Sequence, residues 1–274
     1  MDLKNPYDLS SSVAAITGGG GVLCSTMARA LSACGAKVAI LDINLDGAKR
    51  VAAGLRESGG EALAVRANVV DRTSVDEAAR QVVAAFGRVD ILINGAGGNK
   101  KEATTSEELP FFELPADALR WVFELNCIGT VVPSQVFGQI MAEQGSGCIL
   151  NISSMAALSP LTKTVAYSAA KAAVSNFTQW LAVHMSQNYS SEIRVNAIAP
   201  GFFLTEQNRY LLMDKETGEF TRRGQTVVDH TPMGRLGDPS ELVGTVLWLL
   251  SDGARFVHGV VIPVDGGFSA FSGV

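Results

Sequence analysis

A chain of 274 residues with no Pro-rich, Ser-rich or charge-blocked linker is long enough to bury a sizeable core and is expected to form one domain. Its net charge of −5, with the positive residues scattered, offers little to a nucleic-acid backbone or an anionic membrane, so neither is expected as a partner. Cys24, Cys34, Cys127 and Cys148 show no C-x-x-C spacing, the start MDLKNPYDLSSSV has no signal-peptide core, and no apolar run approaches the ~20 residues of a membrane span, which together predict a soluble cytoplasmic protein.

The first apolar run, VAAIT at Val13–Thr17, predicts a strand. Directly after it comes Thr17-Gly18-Gly19-Gly20-Gly21-Val22-Leu23-Cys24, leading into a helix over Leu23–Ala33. Glycines allow positive φ and close backbone approach, while the free N–H groups and dipole of a helix start favour an anion such as a pyrophosphate. KVAIL at Lys37–Leu41 predicts the next strand, ending at Asp42 and Ile43, where a carboxylate can accept hydrogen bonds from an adenosine ribose and repel a 2′-phosphate. The nearest basic residue beyond it is Lys49, so NAD is favoured over NADP. Alternatively, Asp42 merely caps the helix that follows.

Helices over Leu45–Glu57 and Ser74–Phe86 alternate with strands at ALAVRA (Ala62–Ala67) and VDILI (Val89–Ile93). Gly97–Pro115 breaks the rhythm, and a helix is then predicted over Ala116–Glu143. CILNI from Cys148 predicts a strand running into Ser153 and Ser154, and a helix over Val165–Gln187 carries Tyr167 and Lys171 on one face, one turn apart. After IRVNAIA from Ile193, a second long irregular stretch covers Phe202–Gly237. A helix over Pro239–Leu250 and the strand VVIPV from Val260 complete the pattern. Strand and helix alternate throughout, and the later strands are almost wholly apolar. The predicted fold is therefore α/β: a Rossmann-type doubly wound parallel sheet of about seven strands with helices on both faces, ligands binding beyond the carboxyl ends of the strands.

The ordered stations Thr17-Gly18, Asn94-Gly95-Ala96-Gly97, Ser154, Ser-Ala-Ala-Lys after Tyr167, and Pro200-Gly201 with Thr205 resemble the short-chain dehydrogenase/reductase family over nearly the whole chain. The resemblance implies a nicotinamide-dependent oxidoreductase. In it Tyr167 is the general acid/base, Lys171 its electrostatic partner and ribose ligand, and Ser154 the donor polarising the carbonyl. Asn126 would hold a proton-relay water. Gly18, Gly21, Val22, Leu23, Asp42, Ile43, Asn68, Val69, Asn94, Ala96, Gly97, Pro200, Gly201, Phe203 and Thr205 would line the cofactor with Tyr167 and Lys171. A free phenol titrates near ~10, so the charge of Lys171 is expected to bring Tyr167 down toward neutral pH.

The glycine turn departs from the family, since Val22 and Cys24 stand where its second and third glycines belong. Either the turn shifts and still binds, or the site has become a catalytically inactive dinucleotide-binding module. Asn126, Ser154, Tyr167 and Lys171 together argue for the first reading, since packing demands none of them.

The Gly-Gly-Gly-Gly-Val-Leu turn, with NGAGGN (Asn94–Asn99), SPLTK (Ser159–Lys163), PGFFLTEQNR (Pro200–Arg209) and the tail from Val261 to Val274, resembles the branch of D-mannonate oxidoreductases or fructuronate reductases. That resemblance implies a sugar-acid substrate and a homotetramer or homodimer. The segments near 97–115 and 202–237 would serve as substrate loops. Alternatives are another polyol or aldonate dehydrogenase, such as one acting on gluconate, and a 3-oxoacyl thioester reductase. A substrate carboxylate calls for a cation or aligned donors, for which Arg209 and then Lys163 are the candidates, with Asn99 and Gln207 as neutral donors beside Ser154 and Tyr167. No metal site is expected.

Overall fold

The computed structural model describes residues 7–205 and 208–273. The apolar runs become β1 (Val13–Thr17), β2 (Lys37–Asp42), β3 (Ala62–Arg66), β4 (Ile91–Asn94), β5 (Gly147–Ile152), β6 (Ile193–Pro200) and β7 (Val261–Val264). They form a seven-stranded, wholly parallel sheet in the order β3-β2-β1-β4-β5-β6-β7. The helices are α1 (Val22–Ala33), α2 (Leu45–Glu57), α3 (Arg72–Phe86), α4 (Ala116–Phe123), α5 (Gly129–Gln144), α6 (Val165–Asn188), α7 (Arg209–Leu212), α8 (Arg222–His230) and α9 (Val243–Leu250). The fold is the predicted doubly wound one, and no helix among the described residues is long and apolar enough to cross a membrane.

Period-two alternation along each strand sends neighbouring side chains to opposite faces, which explains two separate cores. Ile16, Ile40, Ile93 and Leu150 pack under α1, α2 and α9 with Met27, Leu31, Leu55 and Leu249. Ala15, Leu41, Leu92 and Ile149 pack under α3, α5 and α6 with Val82, Phe137, Met141, Leu181 and Met185. Both layers are apolar and closely packed, so the strand ends stand on a rigid support.

Two elements differ from the sequence expectation. The helix predicted over Ala116–Glu143 is broken by a π-helical turn at Glu124–Ile128, which separates α4 from α5. Within it the Asn126 amide donates to the Val122 carbonyl (2.7 Å) and the Thr130 hydroxyl donates to the Asn126 carbonyl (2.8 Å), so side chains take over backbone bonding where the helical ladder widens. The stretch 202–237, read as irregular, contains α7 and α8, α8 being capped by Thr221, whose hydroxyl accepts from Gly224 N. The sequence RRGQTVVDH of α8 is polar apart from Val227 and Val228, and at nine residues it falls below the window over which apolar spacing identifies a helix. This segment is pinched at its base. Phe203 and Gly237 form a parallel bridge, Gly237 N donates to the Phe202 carbonyl at 2.9 Å, and the buried Phe203 ring lies over Gly237, where a Cβ would meet it at 2.4 Å.

Candidate active site

The sheet order runs outward in both directions from the β1/β4 pair, the switch point at whose carboxyl side such sheets hold their ligand crevice. Gly18 turns out of β1 with φ +63°, and a Cβ on it would sit 2.8 Å from both N and Cα of Ala96, so only glycine fits against the loop after β4. The Thr17 hydroxyl ties the two loops, accepting from Gly95 N (3.1 Å) and Ala96 N (3.3 Å). Gly21 is the N-cap of α1 and provides no side-chain cap, and the first turn carries no acidic residue. The opening amides of Val22, Leu23 and Cys24 are therefore free of side-chain competition for an anion.

Asp42 braces this turn from the end of β2. Its carboxylate accepts from Gly20 N (3.0 Å) and Asn44 N (2.9 Å), and each oxygen keeps a lone pair for a further donor. Asn44, rather than Asp42, caps α2, its side chain accepting from Gly47 N. Arg66, exposed at the end of β3, stands in register with Asp42, a basic neighbour across the sheet.

The second cluster forms where β5 meets α6. The Lys171 ammonium is buried and donates to the Ile152 carbonyl at 2.8 Å, while the Ser153 hydroxyl donates to the Lys171 carbonyl (3.2 Å). Strand end and helix are thus latched just before Ser154, whose hydroxyl accepts from Ala156 N (3.1 Å). The Tyr167 ring lies with its centroid 5.8 Å from Lys171 Nζ. Burial pushes the Tyr167 phenol above its ordinary range, partly opposed by the hydrogen bond with Ser154. Burial also lowers Lys171 to about 8, against the pull of Cys24 and Cys127. The expected lowering of Tyr167 by Lys171 is thus corrected for the ligand-free protein: desolvation outweighs a charge held this far from the ring and engaged by a carbonyl.

Asn126 is fully buried, and its side chain is committed to Gly98. Nδ2 donates to the Gly98 carbonyl (2.7 Å) and Oδ1 accepts from Gly98 N (3.1 Å). A Cβ on Gly97 would lie 2.7 Å from Asn126 Oδ1 and 3.2 Å from Lys171 Nζ, which puts the π turn, the loop after β4 and α6 in one place. Asn126, Ser154, Tyr167, Lys171, Gly97, Ala96 and Gly18 all converge on the crevice.

Other predicted residues are placed differently. Asn94 is buried and turned inward, donating to Ser134 (2.9 Å) and Asn151 (2.8 Å), so its side chain is a tie between β4, α5 and β5 and not a lining group. The Phe203 ring belongs to the core, and Val69 is buried near Gly129. Ile43 is exposed at the end of β2, Asn68 is half-buried with its Oδ1 accepting from Val70 N, and Thr205 is half-buried beside Asn208. Pro200 is buried at the end of β6, and Gly201 lies against the Asp265 backbone, where a Cβ would come within 2.6 Å.

Among the substrate candidates, Asn99 is exposed and donates to the Thr104 hydroxyl (2.9 Å), and Arg209 is exposed at the start of α7. Gln207 lies outside the described residues. Lys163 adopts a left-handed φ of +74° and lines a groove of about 470 Å³ with Val165, Ala169 and Ala172. Val165, Ala169 and Ala172 lie on the face of α6 turned from Tyr167 and Lys171, and the same groove is lined by Ala156 and Ala157, which follow Ser154. Thr17 as the tie between loops, the Ile152 carbonyl as the Lys171 anchor and Arg66 beside Asp42 carry no signal in the sequence. The first and last depend on strand register and the second on how α6 packs against β5.

A family model described as enoyl-(acyl carrier protein) reductase matches residues 22–269. The chain is similar to an oxidoreductase of Haemophilus influenzae, 46% identical over 285 residues covering 100% of this chain and 99% of that one. It is also similar to the oxidoreductase UxuB of Bacillus subtilis, 47% identical over 276 residues, with 97% and 98% covered. A solved structure from Haemophilus influenzae, provisionally named a D-mannonate oxidoreductase and containing bound NAD, superposes with a TM-score of 0.91 at 47% identity, covering 97% of this chain and 98% of that one. With sheet order, motif stations and relatives in agreement over nearly its full length, the chain belongs to the short-chain dehydrogenase/reductase family and is an oxidoreductase.

Proposed function

We propose that the protein interconverts a secondary alcohol and a ketone of a sugar acid with NAD(H), D-mannonate and D-fructuronate being the leading pair. The observation that carries this reading is the latch between Lys171 and Ile152, which holds Tyr167 and Ser154 together beside the crevice at the β1/β4 switch point. The name and bound NAD of the Haemophilus influenzae structure support the cofactor and the substrate class.

The residues present suit a dinucleotide. The uncapped start of α1 offers amides to a pyrophosphate, Gly18 and Gly20 leave the turn bare of side chains, and the spare lone pairs of Asp42 can take ribose hydroxyls. Bound NAD(H) supplies or accepts the hydride. Tyr167 Oη gives its proton to the carbonyl oxygen during reduction and takes it back during oxidation, the raised pKa keeping the proton in place until it is needed. Ser154 Oγ donates a hydrogen bond to the same substrate oxygen, and the Lys171 ammonium favours the phenolate that forms. Since the Asn126 side chain is occupied by Gly98, a relay water would be held by its main-chain carbonyl.

Loops 97–115 and 202–237 form the substrate side, with Arg209 as the carboxylate ligand. The outer face of α6 supports assembly as a homodimer or homotetramer, because Val165, Trp180 and Val183 are exposed there without charged neighbours on the helix. Assay of a panel of hexonates and ketohexonates with NAD(H) and NADP(H), read at the nicotinamide absorbance, tests the reading. Turnover of a hexonate pair with NAD(H) is expected, and turnover confined to neutral polyols or acyl thioesters would overturn the substrate class.

A further inference from the structure

Cys24 is buried in the first turn of α1, and its thiol covers Gly95 so closely that a Cβ at position 95 would lie 2.1 Å from Sγ. On its other side the Gly95–Ala96 segment meets Gly18, whose own Cβ position is 2.8 Å from Ala96 and 3.0 Å from the Gly95 carbonyl carbon. Helix α1, the loop after β4 and the glycine turn are therefore stacked in contact, and the thickness of the stack depends on what occupies positions 24 and 95. A side chain larger than hydrogen in the first turn of α1 is tolerated because none is present opposite.

We propose that Cys24 and Gly95 are a compensating pair, and that the Cys24 thiol is a positioning residue setting how closely the Gly95–Ala96 loop approaches Gly18 in the dinucleotide site. The inference rests on the NAD(H) reading above. It is a packing role: burial, with Asp42 nearby, pushes the thiol up to about 12, so it stays protonated and does not act as a nucleophile.

The test is a double-mutant cycle read by NADH binding (cofactor fluorescence) and by thermal unfolding, on wild type, Cys24→Ala, Gly95→Ala and the double variant. Gly95→Ala is expected to weaken NADH binding about tenfold or more in the wild-type background and by at least about threefold less in the Cys24→Ala background. The added Cβ would also lie 2.9 Å from the Thr17 carbonyl oxygen, a contact common to both backgrounds that cancels in the cycle. The KM of the carbonyl substrate at saturating NADH should stay level across the folded variants. Additive effects on NADH affinity, or a double variant that regains its Tm without regaining affinity, would overturn the pair. If Gly95→Ala does not fold, Cys24→Gly reads the same relationship from the other side. It should lower NADH affinity about threefold or more with substrate KM unmoved, and unchanged affinity would overturn the proposal. Wild-type protein that binds no NADH overturns the dinucleotide reading itself, a result distinct from wild-type binding with additive variants.

Discussion

Lys171 Nζ donates a 2.8 Å hydrogen bond to the carbonyl oxygen of Ile152, so the ammonium on α6 is anchored to the strand that ends just before Ser154. The Ser153 hydroxyl closes the same joint by donating to the Lys171 carbonyl and pairing with Ser175 at 2.7 Å. The proton-transfer group is held in place before any ligand arrives, and removing single atoms from it should separate chemistry from binding.

Tyr167→Phe removes only the titratable hydroxyl. Folding and NADH affinity should remain close to wild type while kcat falls about 10²-fold or more. Steady-state turnover alongside NADH fluorescence titration checks this, and wild-type turnover in the variant would exclude Tyr167 as the acid/base.

The buried Lys171 makes a prediction about stability against pH. Its pKa falls from 10.5 in the unfolded chain to about 8 in the folded one, so between those values the unfolded state holds a proton that the folded state has lost. The burial cost is fully present below about pH 8 and is relieved as pH rises toward about 10.5. Relative to Lys171→Met, the ligand-free wild type should therefore gain Tm between pH 7.5 and pH 10, as a scan about those values would show. Tyr167 acts with the opposite sign. Its raised pKa lets the folded state keep a proton that the unfolded state loses above its ordinary value of 10.0, so its contribution erodes stability at still higher pH. A wild-type-minus-variant difference that is flat from neutral to alkaline pH would mean that the ammonium is not desolvated as the geometry indicates.

Asp42 braces the glycine turn and, on the proposed function, selects NAD, so its replacement should read out both. Asp42→Ala removes the acceptor of Gly20 N and the repulsion toward a 2′-phosphate, and it leaves Arg66 as the neighbouring charge. NADH affinity should fall about tenfold or more, as for loss of a charged hydrogen-bond partner, while NADPH affinity falls less or rises. Paired titrations with the two cofactors decide the matter. An unchanged ratio would mean that Asp42 only supports the turn.

Arg209→Ala tests the carboxylate ligand. Loss of a charged partner costs ~2–5 kcal/mol when the pair is desolvated, and Arg209 is exposed in the ligand-free protein, so the effect depends on the segment closing over substrate. KM for a sugar acid should rise about tenfold or more while KM for a neutral polyol changes little. Equal changes for acidic and neutral substrates would assign Arg209 to loop shape.

The architecture was legible because burial on both faces writes itself into strands such as Ile91–Asn94 and Ile193–Pro200 as continuous apolar runs. Tyr167 and Lys171 were legible because helical spacing puts them one turn apart and the ordered motif stations around them resemble those of the family. The rest depended on what lies across the sheet or around a helix. Arg66 reaches Asp42 through register, the Asn94 amide turns to Ser134 and Asn151 through β4–α5–β5 packing, and the direction of Lys163 follows from a left-handed residue that sequence gave no cause to expect. The π turn at Glu124–Ile128 was hidden for a related reason. Its side-chain bonds to backbone replace ladder bonds without disturbing the apolar spacing on either side.

The pinched base at Phe203 and Gly237 bears on how this protein could diversify. The chain leaves and rejoins the body within one backbone hydrogen bond, and the α7–α8 excursion rests otherwise on the tail, where Met233 N donates to the Gly266 carbonyl and His230 packs on Phe268 and Phe271. Closure entropy grows only slowly with loop length, about 0.6 kcal/mol per doubling, so such an excursion can be lengthened, trimmed or exchanged without reopening the sheet. On the proposed function, selectivity and chemistry then answer to separate stretches of the gene: new substrates would be recruited by rewriting this excursion and its seat on the tail while the Ser154–Tyr167–Lys171 joint is inherited unchanged.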